Sequence, residues 1–504
     1  MKKLLLLIAT VISIHAAAQT KPGYTINFKV AGLKDTTAYL GYYFGEQAYI
    51  RDTARVNSKG EFNFNGKTAL PQGPYFLVMN KARFMDFVVG GNQHFSVETD
   101  TAGMKRPVGK VVFKTDIDNK IYYENLALLA DLSKRAEPHG KILQDTTLTD
   151  ESKKKTAQEA LKKLGEEAQA FQDKVIAEHP ETVSARLFKS TKQIQVPDPP
   201  KRADGTIDSL FQLKYYREHY FDNFDLADDA LTRISQPVYK NKVNDYLDKL
   251  YVQHPDTIAK AITKIVSVAK KNPETYKFII WTLTSKYSTP EFMGMDEVFV
   301  WLYYTYYATG EMDSWASEKY KKNLKDFADK YCRSLIGKTA PNMMMQDANF
   351  QPRSMYDIKA KYTILYFYDP HCGSCKKETP VLVDFYNKNK AKFNVEVFAV
   401  NSDTSMANMR YYIKDMGMKW ITVNGPRTYL KVSYHDQYDA DTTPTIYILD
   451  SNHKIIAKKP PAANIERFLT DYERMQKRKA ASGVKQPDRV PFDCSKPVKA
   501  PPKS

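Results

Sequence analysis

Two cysteines, Cys372 and Cys375, are separated by Gly373 and Ser374 and follow a run of β-branched and aromatic residues at 362–368. That run suits a buried strand, and the apolar residues after the second cysteine recur at helical spacing. A Cys-x-x-Cys between a strand and the start of a helix predicts thiol–disulfide exchange. A helix N-terminus stabilises a thiolate because it presents unpaired N–H groups and a partial positive charge. We therefore expect Cys372 to be the nucleophile and Cys375 the buried resolving thiol.

Zinc binding is the competing use of a Cys-x-x-Cys, and it needs two further ligands at similar local spacing. The other cysteines, Cys332 and Cys494, lie far from the pair in the sequence. No metal and no cofactor is therefore predicted. For Cys332 and Cys494 two alternatives stay open: a disulfide that ties down the C-terminal end, or a buried Cys332 with a free Cys494.

The chain has 504 residues, which predicts about three domains. Residues 1–18 have the pattern of a secretory signal peptide, with a basic start, an apolar run and small residues before Gln19. The apolar run is short for a bilayer span. We therefore expect a periplasmic or otherwise exported protein with a cleaved signal peptide. An uncleaved signal that acts as an anchor is the alternative.

Of the formal net charge of +17, +7 lies at the C-terminal end, where residues 474–504 hold nine Lys and Arg against Asp488 and Asp493. This Pro- and Lys-rich segment has few large apolar residues, which predicts a basic disordered tail over 473–504. Because so much of the excess charge lies in the tail, no nucleic-acid partner is expected. The tail is instead a candidate for peripheral contact with an anionic membrane surface.

The rest of the chain predicts a multidomain protein with three different fold classes. Residues 20–105 read as an all-β sandwich or barrel, because apolar and polar residues alternate between turns. Residues 115–335 read as mostly α-helical, and 336–472 alternate strands with helices, which predicts a mixed sheet covered on both faces. The apolar seam of one long helix consists of Ala157, Leu161, Leu164, Ala168, Phe171 and Val175, and a preceding helix at 117–132 could pack against it as a hairpin.

Aromatic residues are dense in the second half of the helical region, at 215–224 and again at 301–307. Helix–helix core is the favoured use of these side chains. An aromatic groove for a peptide or a sugar is the alternative.

The C-terminal region resembles the thioredoxin family. Residues 372–376 with Pro380 resemble that family's active-site helix, and 443–445 before an apolar strand resemble its cis-proline loop. Residues 337–341 and 404–436 resemble the exported thioredoxin-like branch used in thiol reduction and cytochrome c maturation. The regions before residue 336 resemble two segments catalogued as domains of unknown function. The resemblance implies a thioredoxin-like α/β fold for the C-terminal domain.

The resemblance also implies roles for the residues around the two cysteines. Pro444, if cis, places a backbone edge beside Cys372, where a substrate chain can pair with Thr443. The Thr443 side chain can hydrogen-bond to the sulfur. Gly373 and Ser374 set the turn and the redox poise, and Ser374 stands where strongly reducing members carry proline.

The sequence departs from the thioredoxin pattern at Tyr366, which stands where thioredoxins carry a buried acid that exchanges a proton with the resolving thiol. Asp369 and Glu378 are the nearby carboxylates that could substitute, through water. His371, if cationic, would lower the pKa of Cys372; the alternative is that it faces solvent. A peroxiredoxin reading fails, because the Pro and Thr that it requires before the cysteine are Leu365 and Asp369 here.

These features predict an exported thiol–disulfide oxidoreductase that acts as a reductase on protein dithiols and disulfides. In an oxidising compartment it needs an electron donor, which we expect to be membrane-bound. One alternative is a substrate-binding or scaffold protein with a weakly active redox domain. Another is a disulfide isomerase or oxidase, for which Thr443 and Ser374 leave room.

Overall fold

A computed structural model describes residues 23–101, 110–201, 204–481 and 490–495 of the chain. The predicted signal peptide at 1–18 lies outside these residues. The chain divides into two compact units, Met1–Val243 and Asn244–Ser504. Within the described ranges, no helix has the length and apolar character needed to cross a membrane.

The first unit begins with strands β1 (Tyr24–Ala31), β2 (Thr37–Phe44), β3 (Gln47–Arg55), β4 (Glu61–Gly66), β5 (Gly73–Met79), β6 (Ala82–Val89), β7 (His94–Asp100) and β8 (Val112–Lys114). Within the described residues they form two four-stranded sheets, ordered β4-β1-β7-β8 and β3-β2-β5-β6. Alternate residues of β1 are buried, and Phe28 meets Phe87 of the other sheet with ring centroids 5.6 Å apart. The predicted all-β region is thus a sandwich.

The helices of the first unit are α1 (Ile117–Gln144), α2 (Glu151–Glu178), α3 (Val183–Thr191), α4 (Phe211–His219) and α5 (Val238–Lys249), in which the boundary between the units falls. The first two form the expected hairpin, in which Arg135 binds both carboxylate oxygens of Glu167 at 3.0 and 2.7 Å. The buried Asn119 side chain fastens α1 to β6, because it donates to the Val88 carbonyl at 2.6 Å and accepts from the Val88 N–H at 2.7 Å.

The second unit continues with helices α6 (Pro255–Ala269), α7 (Pro273–Ser288), α8 (Asp296–Leu302) and α9 (Glu318–Arg333). A π-helical turn, Tyr303–Tyr307, follows α8. Tyr303, Tyr306 and Tyr307 are buried in this helical core. The aromatic run at 301–307 therefore supplies helix–helix core, as predicted.

Residues 336–481 form the predicted α/β domain. Its strands are β9 (Met344–Asp347), β10 (Pro352–Ser354), β11 (Tyr362–Tyr368), β12 (Val395–Asn401), β13 (Ile421–Thr428), β14 (Thr445–Leu449) and β15 (Ile455–Lys458), and its helices are α10 (Gly373–Phe393), α11 (Met406–Asp415), α12 (Tyr434–Gln437) and α13 (Ile465–Ala481). The strands form one mixed sheet in the order β10-β9-β13-β12-β11-β14-β15.

Strand β11 lies near the middle of this sheet, parallel to β12 and antiparallel to β14. Every residue of β11 is buried, and successive side chains face opposite sides of a sheet. Ile364 and Tyr366 belong to the core that includes α10 and α13, whereas Leu365 and Phe367 belong to the core on the other face. Both faces of the sheet are therefore covered. Strand β11 ends at Tyr368, a short turn before α10 begins at Gly373.

The predicted disordered tail needs correction at its start, because residues 473–481 lie in α13. Met, Gln, Lys, Arg and Ala at these positions are good helix formers, so this basic segment continues the helix.

Further along the chain, Cys494 forms a disulfide with Cys332. Of the two alternatives for these cysteines, a disulfide or a buried Cys332 with a free Cys494, the structure has the disulfide. The Phe492 N–H also donates to Glu297 Oε1 at 2.8 Å. The remainder of the predicted tail, 482–489 and 496–504, lies outside the described residues.

Candidate functional site

The two-cysteine site lies where β11 gives way to α10. Cys372 is the N-cap residue of α10, with extended backbone angles, and its N–H donates to the Asp369 carbonyl at 3.1 Å. The Asp369 carboxylate in turn accepts the His371 N–H at 2.7 Å. This tight turn places the first sulfur at the helix N-terminus, where the free N–H groups point.

Cys372 is partly exposed. Its sulfur accepts a hydrogen bond from the Cys375 N–H at 3.3 Å, and as a thiol it donates to the Thr443 carbonyl at 3.3 Å. Burial alone would raise the pKa of Cys372, but hydrogen bonds from Cys375, from the Thr443 side chain and from the Ser374 backbone outweigh it and lower the pKa. The geometry therefore favours a thiolate on this sulfur.

Cys375 lies behind it and is fully buried. Burial raises the pKa of this thiol to about 12, although the Asp369 backbone N–H opposes that shift. Cys375 is therefore a neutral thiol near neutral pH. The two sulfurs differ in the way that an attacking and a resolving cysteine must differ.

The loop before β14 provides a backbone edge beside the exposed sulfur. The Thr443–Pro444 peptide bond is cis, and the Thr445 hydroxyl donates to the Thr442 carbonyl at 2.6 Å, which holds the loop in place. The structure thus brings Thr443 and Pro444 next to Cys372, as the sequence resemblance predicted.

The remaining predicted site residues lie around the start of α10. Gly373 and Ser374 are its first two residues and both are exposed. The His371 imidazole is 70% exposed, and its Nε2 lies 3.3 Å from Asp403 Oδ2 and 3.2 Å from the Asn408 amide nitrogen. His371 is therefore paired with a carboxylate, and its effect on Cys372 stays a prediction.

A buried cluster of hydroxyl groups occupies the place of the missing acid. The Tyr366 hydroxyl lies 2.7 Å from Thr379 Oγ1, which lies 2.8 Å from the Tyr412 hydroxyl and donates to the Cys375 carbonyl at 2.8 Å. Burial raises the pKa of Tyr366 well above its usual value. The cluster therefore supports the helix turn that carries Cys375 but is a poor proton acceptor.

Sequence reasoning missed Thr379 and Tyr412 as members of this cluster. The available signal was spacing, because Thr379 follows Cys375 by one helical turn and so lies on the same face of α10. Nothing in the sequence near Tyr412 marks it as a partner, since α11 is separated from α10 by a strand.

The two carboxylates that were predicted to replace the acid have other partners. Asp369 accepts from the Ser402 hydroxyl at 2.9 Å, and it acts on Cys375 through its backbone N–H. Glu378 accepts the Ala462 N–H. Their role in proton transfer through water stays a prediction. Within the described residues, no cluster of His, Cys, Asp or Glu is arranged to hold a metal ion.

Three family models match consecutive parts of the chain. The AhpC/TSA family matches residues 336–458. Two models described as domains of unknown function match the preceding regions, DUF5106 over 150–330 and DUF4369 over 24–122.

Similar proteins with a described activity match the C-terminal region. Thiol-disulfide oxidoreductase ResA of Bacillus subtilis (strain 168) is 28% identical over 148 residues, which are 29% of this chain and 79% of that protein. Thiol-disulfide oxidoreductase ResA of Bacillus cereus (strain ZK / E33L) is 29% identical over 132 residues, which are 26% of this chain and 73% of that protein.

Solved structures match as well. A crystal structure titled a domain of "possible thiol-disulfide isomerase" from Cytophaga hutchinsonii is 38% identical, with a TM-score of 0.27, and the match covers 29% of this chain and 97% of that one. A thioredoxin-like protein from Bacteroides caccae is 19% identical, with a TM-score of 0.45, and the match covers 56% of this chain and 99% of that one.

Proposed function

We propose that this protein, whose C-terminal domain is thioredoxin-like and of the thiol–disulfide oxidoreductase type, acts as a reductase of protein disulfides through Cys372 and Cys375. The observation that carries the proposal is the contrast between the two thiols. One is partly exposed beside a backbone edge with a lowered pKa, and the other is buried with a pKa of about 12.

The exchange proceeds in two steps. The Cys372 thiolate attacks one sulfur of a target disulfide, so a mixed disulfide forms and the other target sulfur leaves as a thiolate. Cys375 then loses its proton and attacks the Cys372 sulfur, which forms the Cys372–Cys375 disulfide and releases the second target thiolate. Two electrons pass to the target, and a dithiol donor must return them to the cysteine pair.

The surroundings of Cys372 support the reducing direction. A strongly oxidising pair owes its potential to a strongly stabilised reduced form. Here the groups that lower the pKa of Cys372 are neutral hydrogen-bond donors, and the His371 ring lies against Asp403. The hydrogen bonds that lower the pKa of Cys372 therefore come from groups without a positive charge, which supports a reducing pair over a strongly oxidising one.

Export is part of the same proposal. The signal-peptide pattern at 1–18 supports it, and so does the Cys332–Cys494 disulfide, because such bonds persist in oxidising compartments. In that setting we place a membrane-bound dithiol donor upstream of the protein. Thiol reduction in cytochrome c maturation, the role of the branch that the sequence resembles, is the cellular task we propose. The basic C-terminal residues then favour proximity to an anionic membrane.

Reduction of the interchain disulfides of insulin, with dithiothreitol as donor, tests the proposal. Cys372→Ala is expected to lower the rate to the uncatalysed background. Reduced Cys375→Ala, mixed with insulin after dithiothreitol is removed, is expected to accumulate a mixed disulfide with the substrate. Cys494→Ser is the matched control for loss of a cysteine outside the site, and its rate should equal that of the wild type. If the double variant Cys372→Ala, Cys375→Ala reduces insulin as fast as the wild type, the proposal is wrong.

A further inference from the structure

Three tyrosine rings are stacked in the core that holds the resolving thiol. Tyr366 and Tyr368 lie on the same face of β11, and both belong to one buried core with Cys375 and Tyr412. The ring of Tyr368 stacks on both of the others, because its centroid lies 5.5 Å from that of Tyr366 and 5.0 Å from that of Tyr412. The buried Cys375 therefore shares its core with three phenolic hydroxyl groups.

Two of these hydroxyl groups have their hydrogens engaged. A threonine hydroxyl has one hydrogen and two acceptor lone pairs. Thr379 donates its hydrogen to the Cys375 carbonyl at 2.8 Å, so its oxygen accepts from its two tyrosine neighbours at 2.7 and 2.8 Å. Tyr366 and Tyr412 are therefore the donors, and neither has a second O–H hydrogen to offer.

The third hydroxyl group, that of Tyr368, is different. Its side chain is fully buried, and its oxygen has no hydrogen-bond partner among the described residues. A buried polar group without a partner is costly, and such a group in a native protein calls for an explanation. Within the described part of the stack, Tyr368 is thus the tyrosine whose hydrogen is available to a further acceptor.

That acceptor forms during the exchange reaction. In the resting reduced chain Cys375 is a neutral thiol, whose sulfur is a weak acceptor. In the second step Cys375 loses its proton, and a charged sulfur in a dry core must be hydrogen-bonded to be stable. The two groups are close enough to interact, since negative charge on Cys375 is one cause of the raised pKa of Tyr368. A thiolate on Cys375 therefore keeps Tyr368 in its protonated, donating form.

The other donors to this thiolate do not offset its burial. The Asp369 N–H and the Thr443 side chain both favour the charged form of Cys375, yet burial still raises its pKa to about 12. Hydrogen bonds to charged groups are roughly twice as strong as those between neutral groups. One more donor therefore makes the thiolate easier to form near neutral pH.

We infer that the Tyr368 hydroxyl donates a hydrogen bond to the Cys375 sulfur as it becomes a thiolate, and so speeds the resolving step. Cys375 gives its proton to a base in solution and its sulfur bonds to Cys372 Sγ. The bond between Cys372 Sγ and the target sulfur breaks, and the target leaves as a thiolate. Tyr368 keeps its own proton throughout. The inference rests on the proposed function, because it assigns a catalytic residue to the second step of that same exchange.

The second step can be followed alone, from a mixed disulfide made at acidic pH. Glutathionyl 2-pyridyl disulfide loads the reduced full-length chain at Cys372 while Cys375 stays protonated, and peptide mapping verifies the position of the adduct. After a jump to neutral pH, acid quenching and mass spectrometry give the rate at which the Cys372–Cys375 disulfide forms. Tyr368→Phe removes only the hydroxyl and is expected to slow this step about tenfold, because a hydrogen bond to a charged atom is lost.

Two further readouts separate this role from a structural one. Alkylation of Cys372 by iodoacetamide should keep its wild-type rate in Tyr368→Phe. The free energy of unfolding, from urea denaturation, should not fall, because the lost hydroxyl has no partner within the described residues. Tyr287→Phe in α7 is the matched control, since that hydroxyl is likewise buried without a described partner. Its rates should equal those of the wild type.

A second step that is as fast in Tyr368→Phe as in the wild type would overturn the inference. Equal slowing of the second step and of Cys372 alkylation would overturn it too, because that result indicates a general distortion of the site. The proposed function fails differently: a wild-type chain that is loaded at Cys372 but never forms the Cys372–Cys375 disulfide rejects the exchange itself, and the role of Tyr368 with it.

Discussion

At the residue scale, the proposed chemistry depends on Cys372 and Cys375, two thiols in the first turn of α10 that have different surroundings. Cys372 has hydrogen-bond donors and access to solvent, whereas Cys375 is buried against the hydroxyl cluster of Tyr366, Thr379 and Tyr412. The donors favour the charged form of the first thiol, and burial favours the neutral form of the second.

The pH dependence of alkylation tests this difference. The thiolate is the reactive form and its fraction rises with pH through the pKa, so a lowered pKa moves the profile to lower pH. We expect alkylation of Cys372 in the reduced chain to be half-maximal below about pH 8.5, the usual value for a free cysteine. Thr443→Val removes a hydroxyl that favours the thiolate and should move the midpoint upward. Peptide mass spectrometry gives the rate at each cysteine, and a midpoint above that of a free thiol would contradict the assignment.

Tyr366→Phe tests whether the buried tyrosine acts as a base. Because the pKa of Tyr366 is raised far above neutrality, its hydroxyl cannot accept the Cys375 proton, and we expect the pH profile of insulin reduction to keep its shape. The lost hydrogen bond to Thr379 should lower the free energy of unfolding by about 1 kcal/mol, as measured by urea denaturation. Loss of one limb of the pH profile would show that the hydroxyl does take part in proton transfer.

At the element scale, β11 and α10 carry the site because both are anchored in cores that cover the sheet. Leu382 of α10 is fully buried in the core shared with β11 and α13. That packing sets the direction of α10 and therefore the position of Cys372 relative to Thr443.

Leu382→Ala should therefore lower the free energy of unfolding by about 2–5 kcal/mol, because it leaves a cavity in this core. The neighbouring Val381 is 39% exposed, and Val381→Ala is the matched control, with an expected effect within about 0.5 kcal/mol. Urea denaturation of both variants gives the comparison. Similar losses in the two variants would mean that α10 is not anchored by its buried face.

The sequence predicted the structure correctly where a segment had one clear pattern, either a continuous apolar run or the Cys-x-x-Cys motif. The apolar runs at β11 and β14 and the motif from Cys372 to Cys375 predicted two of the central strands and the two cysteines of the site. Strand β13 was missed because Asn424, Gly425 and Pro426 resemble a turn. Strands β9 and β10 were missed because short edge strands carry little apolar alternation.

Features that depend on long-range contact could not be predicted. The Cys332–Cys494 pair spans a sequence separation of 162, so only the folded structure decides between a disulfide and free thiols. The last turns of α13 were read as tail because their charge was weighed above their helix propensity.

At the scale of the whole molecule, the helical region α6–α9 and the thioredoxin-like domain belong to one compact unit. The buried pair of Lys458 and Asp296 joins them, and so does the hydrogen bond from Arg333 to the Asp436 carbonyl at 2.6 Å. The disulfide to Cys494 adds a covalent link between α9 and the C-terminal end. These contacts give the second unit a fixed geometry around the site.

Removal of the Cys332–Cys494 disulfide should destabilise this unit without affecting the chemistry. Cys494→Ser is expected to lower the free energy of unfolding by about 2–4 kcal/mol, because a long loop loses its cross-link. Val490→Ala, at a side chain that is 82% exposed, is the control for change in the same segment. Equal stability of Cys494→Ser and wild type, measured by urea denaturation under non-reducing conditions, would show that the cross-link has no structural role.

The equilibrium reduction potential of the Cys372–Cys375 pair tests the central claim most directly. It is measured on the full-length chain by thiol trapping in graded redox buffers, with each cysteine identified by mass spectrometry. The account predicts a reversible pair with a potential near that of thioredoxin, about −270 mV, or lower. A value of about −180 to −120 mV, the range of isomerases and oxidases, would contradict the reductase assignment, and a chain in which no reversible pair titrates would contradict the redox function itself.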